Sequence, residues 1–194
     1  AQLALDEANA EGGYQGKPFR LLPAWSENPW GTGVGEIART VYRDELWAIL
    51  GGIDGPSTHL VEQVAVKARI TLLSAASTDK TANLANVPWM FSLVPGDHLA
   101  APVLAEAIER QIGSKPFVLI SADDHDSRQF TSELEKCLGR RRLIPLYHWH
   151  CRQALPDLEQ LVERILRSDP AAVVIAARAH DSARLVNELR EADF

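Results

Sequence analysis

The sequence predicts an α/β protein with two doubly wound, Rossmann-like lobes, each built around a parallel sheet. Segments with helical periodicity alternate with short apolar runs along the whole chain. This alternation is typical of parallel strands joined by crossover helices. The least patterned stretch, around residues 89–97, separates two such sets. We therefore expect a first lobe over residues 1–97 and a second lobe over residues 98–194.

The elements of the first lobe follow from their apolar spacing and their turn residues. The run FRLLPAW (residues 19–25) is predicted to be a strand, and its Pro23 favours an edge or a bend. Residues 46–50 and 70–74 are predicted as further strands, the former buried. The helices carry these apolar stripes: Ala1, Leu5 and Ala8, ended by Gly12 and Gly13; Val34, Ile37, Ala38 and Val41; Leu60, Val61, Val64 and Ala65.

The second lobe repeats the same alternation. Residues 117–120, 143–149 and 171–177 are predicted strands. The helices are marked by Leu99, Val103, Leu104, Ala107 and Ile108; by Phe130, Leu134 and Leu138; by Leu158, Leu161, Ile165 and Leu166; and by Leu185, Val186 and Leu189. The order of elements is thus that of a second βα set.

Composition limits the classes of function. The chain has 194 residues, of which 46% are hydrophobic, so it can bury a sizeable core. A net charge of −6 lacks the basic excess that phosphate-backbone binding needs, so no nucleic-acid partner is expected. No apolar run approaches the roughly 20 residues of a membrane span.

The two cysteines are expected to be free thiols. Cys137 falls at the end of a predicted helix and Cys151 at the far end of the following strand. A strand rises about 3.3 Å per residue. The two residues are therefore separated by far more than the roughly 7 Å that a disulfide spans between Cα atoms.

Ligands of open parallel sheets bind outside the carboxyl ends of the strands, where helix N-termini gather. The loop GGIDGPST (residues 51–58) can wrap an anion with backbone N–H groups assisted by Ser57 and Thr58; the alternative is a tight turn in which Ser57 or Thr58 caps a helix. The loop SAASTDKT (residues 74–81) lets a ligand approach the backbone, the alternative being a helix cap by Ser77 or Thr78.

The loop SADDHDS (residues 121–127) supplies three carboxylates, Asp123, Asp124 and Asp126, that can hold a ligand amine. Acidic residues also suit the first turn of a helix, so we expect two of the three to serve the helix alone. His180 lies in another loop of this edge and joins the candidate ligand-binding residues, although a lone histidine is usually just solvated.

Neither a metal site nor a catalytic site is predicted. His148 and His150 share one strand face, and Cys151 follows them, but no second ligand pair with zinc-like spacing accompanies them. The chain lacks a G-x-S-x-G elbow and an H-E-x-x-H helix. We therefore expect no enzyme, no cofactor and no metal.

The order of the motifs resembles the type I periplasmic solute-binding proteins, especially those for branched-chain amino acids. The likeness runs through AQLALDEANAEGGYQGKPFRLL, AILGGIDGPSTHLVEQVAVKARITLLSAASTDKT, VPWMFSLVPGD and DPAAVVIAARAHDSARLVNELREADF. It implies two lobes that close on a small ligand, with both ends of the family fold incomplete. The chain begins and ends beside predicted helices, and we expect a longer protein.

The resemblance also implies the ligand contacts. Gly55, Ser57, Ala76 and Thr78 correspond to the residues that hold the ligand carboxylate and ammonium in that family. Asp126 takes the place of an aromatic residue, which favours an amine-bearing or otherwise polar ligand. The acidic end of the second strand is replaced by Ala24 and Trp25, so Trp25 is expected to stack on the ligand.

The function implied is that of an extracytoplasmic component of an ABC transporter, which binds an amino acid or a similar small polar ligand and docks on a membrane permease. An alternative is the ligand-sensing domain of a membrane receptor, because the same fold serves both roles. A flavodoxin-like enzyme is a third reading, but it needs a richer phosphate or cofactor loop than GGIDGPST.

Overall fold

The computed structural model describes residues 1–24, 33–151 and 158–194. Within them lie helices α1 (Gln2–Ala10), α2 (Val34–Arg43), α3 (Gly55–Ala68), α4 (Asp97–Ile112), α5 (His125–Arg140), α6 (Leu158–Ser168) and α7 (Ala179–Glu191). The strands are β1 (Ala48–Leu50), β2 (Thr71–Ser74), β3 (Met90–Ser92), β4 (Phe117–Ala122), β5 (Tyr147–Cys151) and β6 (Ala172–Ala176). The chain packs as two compact units, residues 1–45 and residues 46–194.

The first unit contains α1 and α2, both as predicted. The strand predicted at residues 19–25 is wrong for residues 19–24, which form no strand. Its backbone is held by a side chain instead, because the Asn9 amide accepts from Phe19 N at 2.6 Å and donates to Phe19 O at 2.9 Å. These contacts use the groups that a neighbouring strand would pair with.

The second unit begins with a parallel sheet in the order β1-β2-β3. The prediction that residues 46–50 form a buried strand is wrong in two respects. Only Ala48–Leu50 form the strand, and Leu50 is 54% exposed. Among the described residues, β1 pairs with β2 alone, so it is less covered than a strand with a neighbour on each side. β3 was not predicted, since three residues carry too little periodicity to be recognised.

The second sheet has the order β5-β4-β6, and its strands are again parallel. All six residues of β4 are buried. Val118 and Ile120 pack on one face with α6 and α7, while Phe117 and Leu119 pack on the other with α4 and α5. Helices on both faces of a parallel sheet are the doubly wound arrangement that the sequence predicts, and this prediction of fold class is confirmed.

β5 begins later than predicted, at Tyr147 instead of residue 143. Leu143 donates its N–H to Leu138 O at 3.0 Å, so it still belongs to the end of α5. Pro145 has no N–H to donate to a ladder. The strand therefore starts only after these residues.

Cys137 and Cys151 are both free and buried. They pack in the two different apolar clusters of the second sheet.

No helix within the described ranges is long and apolar enough to cross a membrane. The division into lobes at residues 97 and 98 stays a prediction.

Candidate ligand-binding site at the strand ends

The N-terminus of α3 is organised by Asp54, which is its N-cap. Asp54 Oδ1 accepts from Ser57 N at 2.8 Å, and Ser57 Oγ accepts from Asp54 N at 3.3 Å. Thr58 Oγ1 donates to Asp54 O at 2.7 Å. The alternative that Ser57 or Thr58 is the cap is therefore wrong, because an aspartate three residues before Ser57 already fills that position. Both hydroxyls are engaged within the loop.

Gly55 is the point at which the loops of the two sheets meet. Its N–H, the first of α3, donates to Asp126 Oδ1 at 2.9 Å. A Cβ at Gly55 would lie 2.4 Å from Asp126 Oδ1, 2.7 Å from His125 Cδ2 and 2.8 Å from Asp79 Oδ2. A side chain at this position would thus displace the side chains of Asp126, His125 and Asp79.

The three carboxylates at the start of α5 have different partners. Asp124 is the N-cap and accepts from Ser127 N at 3.1 Å. Asp123 is exposed and pairs with Arg128 at 2.8 Å. Asp126 accepts from Gly55 N, as above, and burial raises the pKa of its carboxyl group despite that hydrogen bond. Of the three, Asp126 is the one that contacts α3.

The loop after β2 is irregular, and no helix begins in it. The alternative that Ser77 or Thr78 caps a helix there is therefore wrong. Buried Ser77 accepts from Asp79 N at 3.4 Å, and Thr78 O accepts from Asp97 N at 2.8 Å. The loop is thus tied to the start of α4, while Ala76 and Thr78 remain exposed.

Asp79 is the centre of a polar cluster with His59 and His125. Its side chain is fully buried. Oδ2 lies 3.0 Å from His59 Nε2 and 2.6 Å from His125 Nε2, and Oδ1 accepts from Thr81 N at 2.7 Å and Thr81 Oγ1 at 2.6 Å. The three residues come from α3, the β2 loop and α5.

Burial would raise the pKa of Asp79, but hydrogen bonds from Thr81 and His125, together with nearby His59, outweigh it and lower the pKa to about 2. The group is therefore ionised at neutral pH. Sequence reasoning missed this cluster, because residues 59, 79 and 125 are distant in the chain. The one available signal was the placement of an Asp and two His at strand ends.

Asp97, the first residue of α4, was also missed. It is 2% exposed, and its Oδ2 is one of two buried side-chain oxygens within the described residues that lack a hydrogen-bond partner. Burial raises the pKa of Asp97, and so do the nearby charges of Asp79, Asp126 and Glu133, whereas a hydrogen bond with Thr78 lowers it. A buried carboxylate oxygen without a donor is costly, and a cationic partner would relieve it.

Two of the predicted ligand-binding residues, His180 and Trp25, have no described contact with the residues around Gly55, Asp79 and Asp126. His180 is exposed in the first turn of α7, at the carboxyl end of β6. Trp25 lies outside the described residues. The roles expected for both stay predictions.

His148 and His150 of the HWHC motif lie on β5 and contact Ser121 of the neighbouring strand β4. Ser121 Oγ lies 2.8 Å from His148 Nε2 and 3.0 Å from His150 Nδ1, and His148 Nδ1 lies 3.0 Å from Glu135. Cys151 packs in an apolar cluster with α6 and α7. A cavity of about 330 Å³ adjoins Ser121, His150 and Glu135.

The sequence profile of the family described as "Periplasmic binding protein" matches residues 1–194. Comparison with curated protein sequences finds no match. The predicted resemblance to periplasmic solute-binding proteins is thereby confirmed, and this family is of the solute-binding type and not a class of enzymes.

Solved structures share the fold. An ABC transporter substrate-binding protein from Desulfitobacterium hafniense, in complex with Leu, is 21% identical with a TM-score of 0.76, and the match covers 98% of this chain and 57% of that one. The branched-chain amino acid transporter substrate binding protein LivJ from Streptococcus pneumoniae, in complex with isoleucine, is 20% identical with a TM-score of 0.82, covering 98% and 54%. The leucine binding protein LivK from Thermotoga maritima is 14% identical with a TM-score of 0.77, covering 100% and 54%.

The chain thus spans 54 to 57% of the length of these three structures. At such identities the likeness shows the fold, which is the type I periplasmic-binding-protein fold predicted from the sequence. Since the family profile matches every residue from 1 to 194, the chain belongs to the periplasmic binding protein family.

Proposed function

We propose that this chain forms the ligand-binding part of an extracytoplasmic solute-binding protein, which captures an amino acid or a similar amine-bearing molecule for an ABC transporter. The observation that carries the proposal is the contact between Gly55 N and Asp126 Oδ1. It brings the loop after β1 and the loop after β4 together at the strand ends, where parallel sheets bind their ligands.

The α3 N-terminus supports binding of a carboxylate. Free N–H groups and the helix dipole make such a terminus attractive to anions. The Gly55 N–H already holds one carboxylate, that of Asp126. The other first-turn groups are engaged or absent, since Ser57 N and Thr58 N donate to Asp54 and Pro56 has no N–H. A ligand carboxylate would therefore replace Asp126 at the Gly55 N–H, next to the exposed Ala76 and Thr78 of the β2 loop.

The surrounding charges support a ligand that also carries an amine. Burial raises the pKa of both Asp97 and Asp126, because it destabilises the ionised form of each carboxyl group. An ammonium group nearby would favour the ionised form of both. Leucine and isoleucine, the ligands of two structural relatives, each carry one ammonium group. Two carboxylates with raised pKa values therefore favour a ligand here that has a second amine or another polar group.

The expected mode of action involves no chemistry. The ligand is held between the loops of the two sheets, and their closure presents a surface to the membrane permease. Gly55, Ser57, Thr58, Ala76, Ser77, Thr78, Asp126, His180 and Trp25 are the proposed ligand-binding residues. Because the hydroxyls of Ser57 and Thr58 are engaged in the α3 cap and buried Ser77 accepts from Asp79 N, we expect these three to shape the loops and the others to contact the ligand.

The test is a thermal-shift screen of the protein, in EDTA, against the amino acids and small polyamines. A ligand that binds only the folded state at about 100 times its Kd stabilises it by about 2.7 kcal/mol. We expect the strongest shifts from ligands with an amine beyond the α-amino group. Calorimetric titration with the strongest hit then gives the Kd.

Matched variants locate the site. Asp126→Asn keeps an oxygen for Gly55 N–H and removes the charge, so the affinity for a basic ligand should fall at least about tenfold. Thr78→Ala should also weaken binding. Asp123→Asn changes an exposed aspartate of the same loop and should leave the Kd unchanged. Equal losses in Asp123→Asn and Asp126→Asn, or no stabilising ligand, would contradict the proposal.

A further inference from the structure

We propose that His59, Asp79 and His125 form a binding site for a divalent transition-metal ion, with Zn²⁺ as the probe ion. The inference does not depend on the proposed solute-binding function. It starts from the geometry of three side chains whose ligand atoms all lie within 4.8 Å of one another.

The ligand set suits such an ion. Two imidazole nitrogens and one carboxylate oxygen are common ligands of Zn²⁺ and of related first-row metals. Ligand atoms of a tetrahedral zinc site lie about 3.3 Å apart, given Zn–N distances of about 2.0–2.1 Å. Asp79 Oδ2 lies 3.0 Å from His59 Nε2 and 2.6 Å from His125 Nε2. An outward shift of less than about 1 Å therefore opens the space for an ion.

The hydrogen bonds of His59 are compatible with a bound metal. Its Nε2 lies 3.0 Å from Asp79 Oδ2 and 2.9 Å from Thr81 Oγ1, and its Nδ1 lies 3.3 Å from Glu62 Oε2. A neutral ring that donates from Nδ1 to Glu62 leaves Nε2 as an acceptor, which can bind a metal ion in place of the Thr81 hydroxyl. That hydroxyl keeps Asp79 Oδ1 as its partner.

The contacts behind the ligands hold them in place. Glu62 Oε1 accepts from Asn83 N at 3.1 Å, which fixes the carboxylate that orients His59. Thr81 occupies Asp79 Oδ1 through two hydrogen bonds, so the other oxygen is directed at the histidines. A carboxylate behind a metal-bound histidine is a recurrent arrangement that raises metal affinity.

Access and space are also suitable. The Asp79 side chain is fully buried, whereas His59 and His125 are 24% and 30% exposed, so an ion can enter from the histidine side. A side chain at Gly55 would crowd Asp79 Oδ2, so the glycine keeps that oxygen free of such a contact. Three protein ligands leave one coordination position for water or another small ligand.

The consequence would be mechanical. The three ligands come from α3, the β2 loop and α5, so one ion would connect elements of both sheets. Such an ion stabilises the arrangement in which these elements meet, because it binds that arrangement and not a separated one.

The experiment uses the protein without an affinity tag, freed of metal with EDTA and then titrated with Zn²⁺ by calorimetry. We expect one ion per chain. His59→Gln and His125→Gln keep a side chain that can hydrogen-bond to Asp79, and each should weaken zinc binding at least about tenfold. His98→Gln, which changes an exposed histidine of α4, should bind zinc as the parent does. Circular dichroism checks that each variant is folded.

Co²⁺ provides a second readout that needs no variant. Absorption bands typical of tetrahedral cobalt with nitrogen and oxygen ligands are expected on the parent protein. No bound ion, zinc affinity equal in the parent and both cluster variants, or cobalt bands of a fully hydrated ion would overturn the proposal. The EDTA in the amino-acid screen separates failure of this proposal from failure of solute binding.

Discussion

The two parallel sheets of residues 46–194 differ in how far helices cover them. All six residues of β4 in the second sheet are buried between two pairs of helices. In the first sheet, β1 and β3 contain exposed residues, among them Leu50 and Phe91, at 54% and 51%. Within the part of the chain that the structure describes, the two large apolar clusters both belong to the second sheet. The second sheet is therefore expected to carry most of the stability, while the first contributes many of the polar contacts of the site.

A pair of phenylalanines tests this difference most strongly. Phe117→Ala empties a buried position of β4 and should lower the free energy of unfolding by about 3–5 kcal/mol. Phe91→Ala changes a half-exposed residue of β3 and should cost less than about 1 kcal/mol. Urea unfolding of both variants measures the two values. Similar losses would show that the sheets contribute equally.

A glycine pair tests the contact between the sheets. Gly55→Ala places a Cβ 2.4 Å from Asp126 Oδ1, and we expect a loss of about 1–3 kcal/mol from overpacking. Gly139→Ala, in α5, meets no atom within 4 Å and should stabilise the helix by about 0.5–1 kcal/mol. Opposite signs in urea unfolding are the expected result. A stabilising Gly55→Ala would mean that α3 and α5 do not meet as described.

The smallest effect concerns Asp97. Burial raises the pKa of its carboxyl group in the folded state above the usual value of about 3.9. A raised folded pKa gives a stabilising contribution that is present below the unfolded pKa and is lost as pH rises through the folded pKa. Asp97→Asn should therefore make the change in stability from neutral pH to about pH 4 less favourable than it is in the parent. Urea unfolding at both pH values measures this change, and an equal change in parent and variant would contradict the expectation.

The sequence allowed the second sheet to be predicted better than the first. The strand over residues 117–120 is apolar throughout, and burial on both faces produces such a pattern. Residues 19–22 are also mostly apolar, but Asn9 binds the backbone of Phe19, and such a contact has no periodic signal. β3 has only three residues. Tertiary contacts, and not local periodicity, determine the conformation of such short segments and of segments whose backbone is bound by a side chain.

The candidate site could likewise be predicted from the sequence only in part. Loop positions could be predicted, because parallel topology places every strand's carboxyl end at one edge of its sheet. The partners could not, since Asp79 meets His125 at a sequence separation of 46 residues and Gly55 meets Asp126 at a separation of 71. Asp54 was missed as the α3 cap because the neighbouring Ser57 and Thr58 have similar capping preferences.

Hydrogen exchange can show whether one ligand is held by loops from both sheets. Backbone exchange of the protein is compared with and without the strongest ligand from the screen, in EDTA. We expect residues 75–81 and residues 123–127 to gain protection together, because ordered loops open less often. Protection of one loop alone, or of neither, would contradict a site shared by the two sheets.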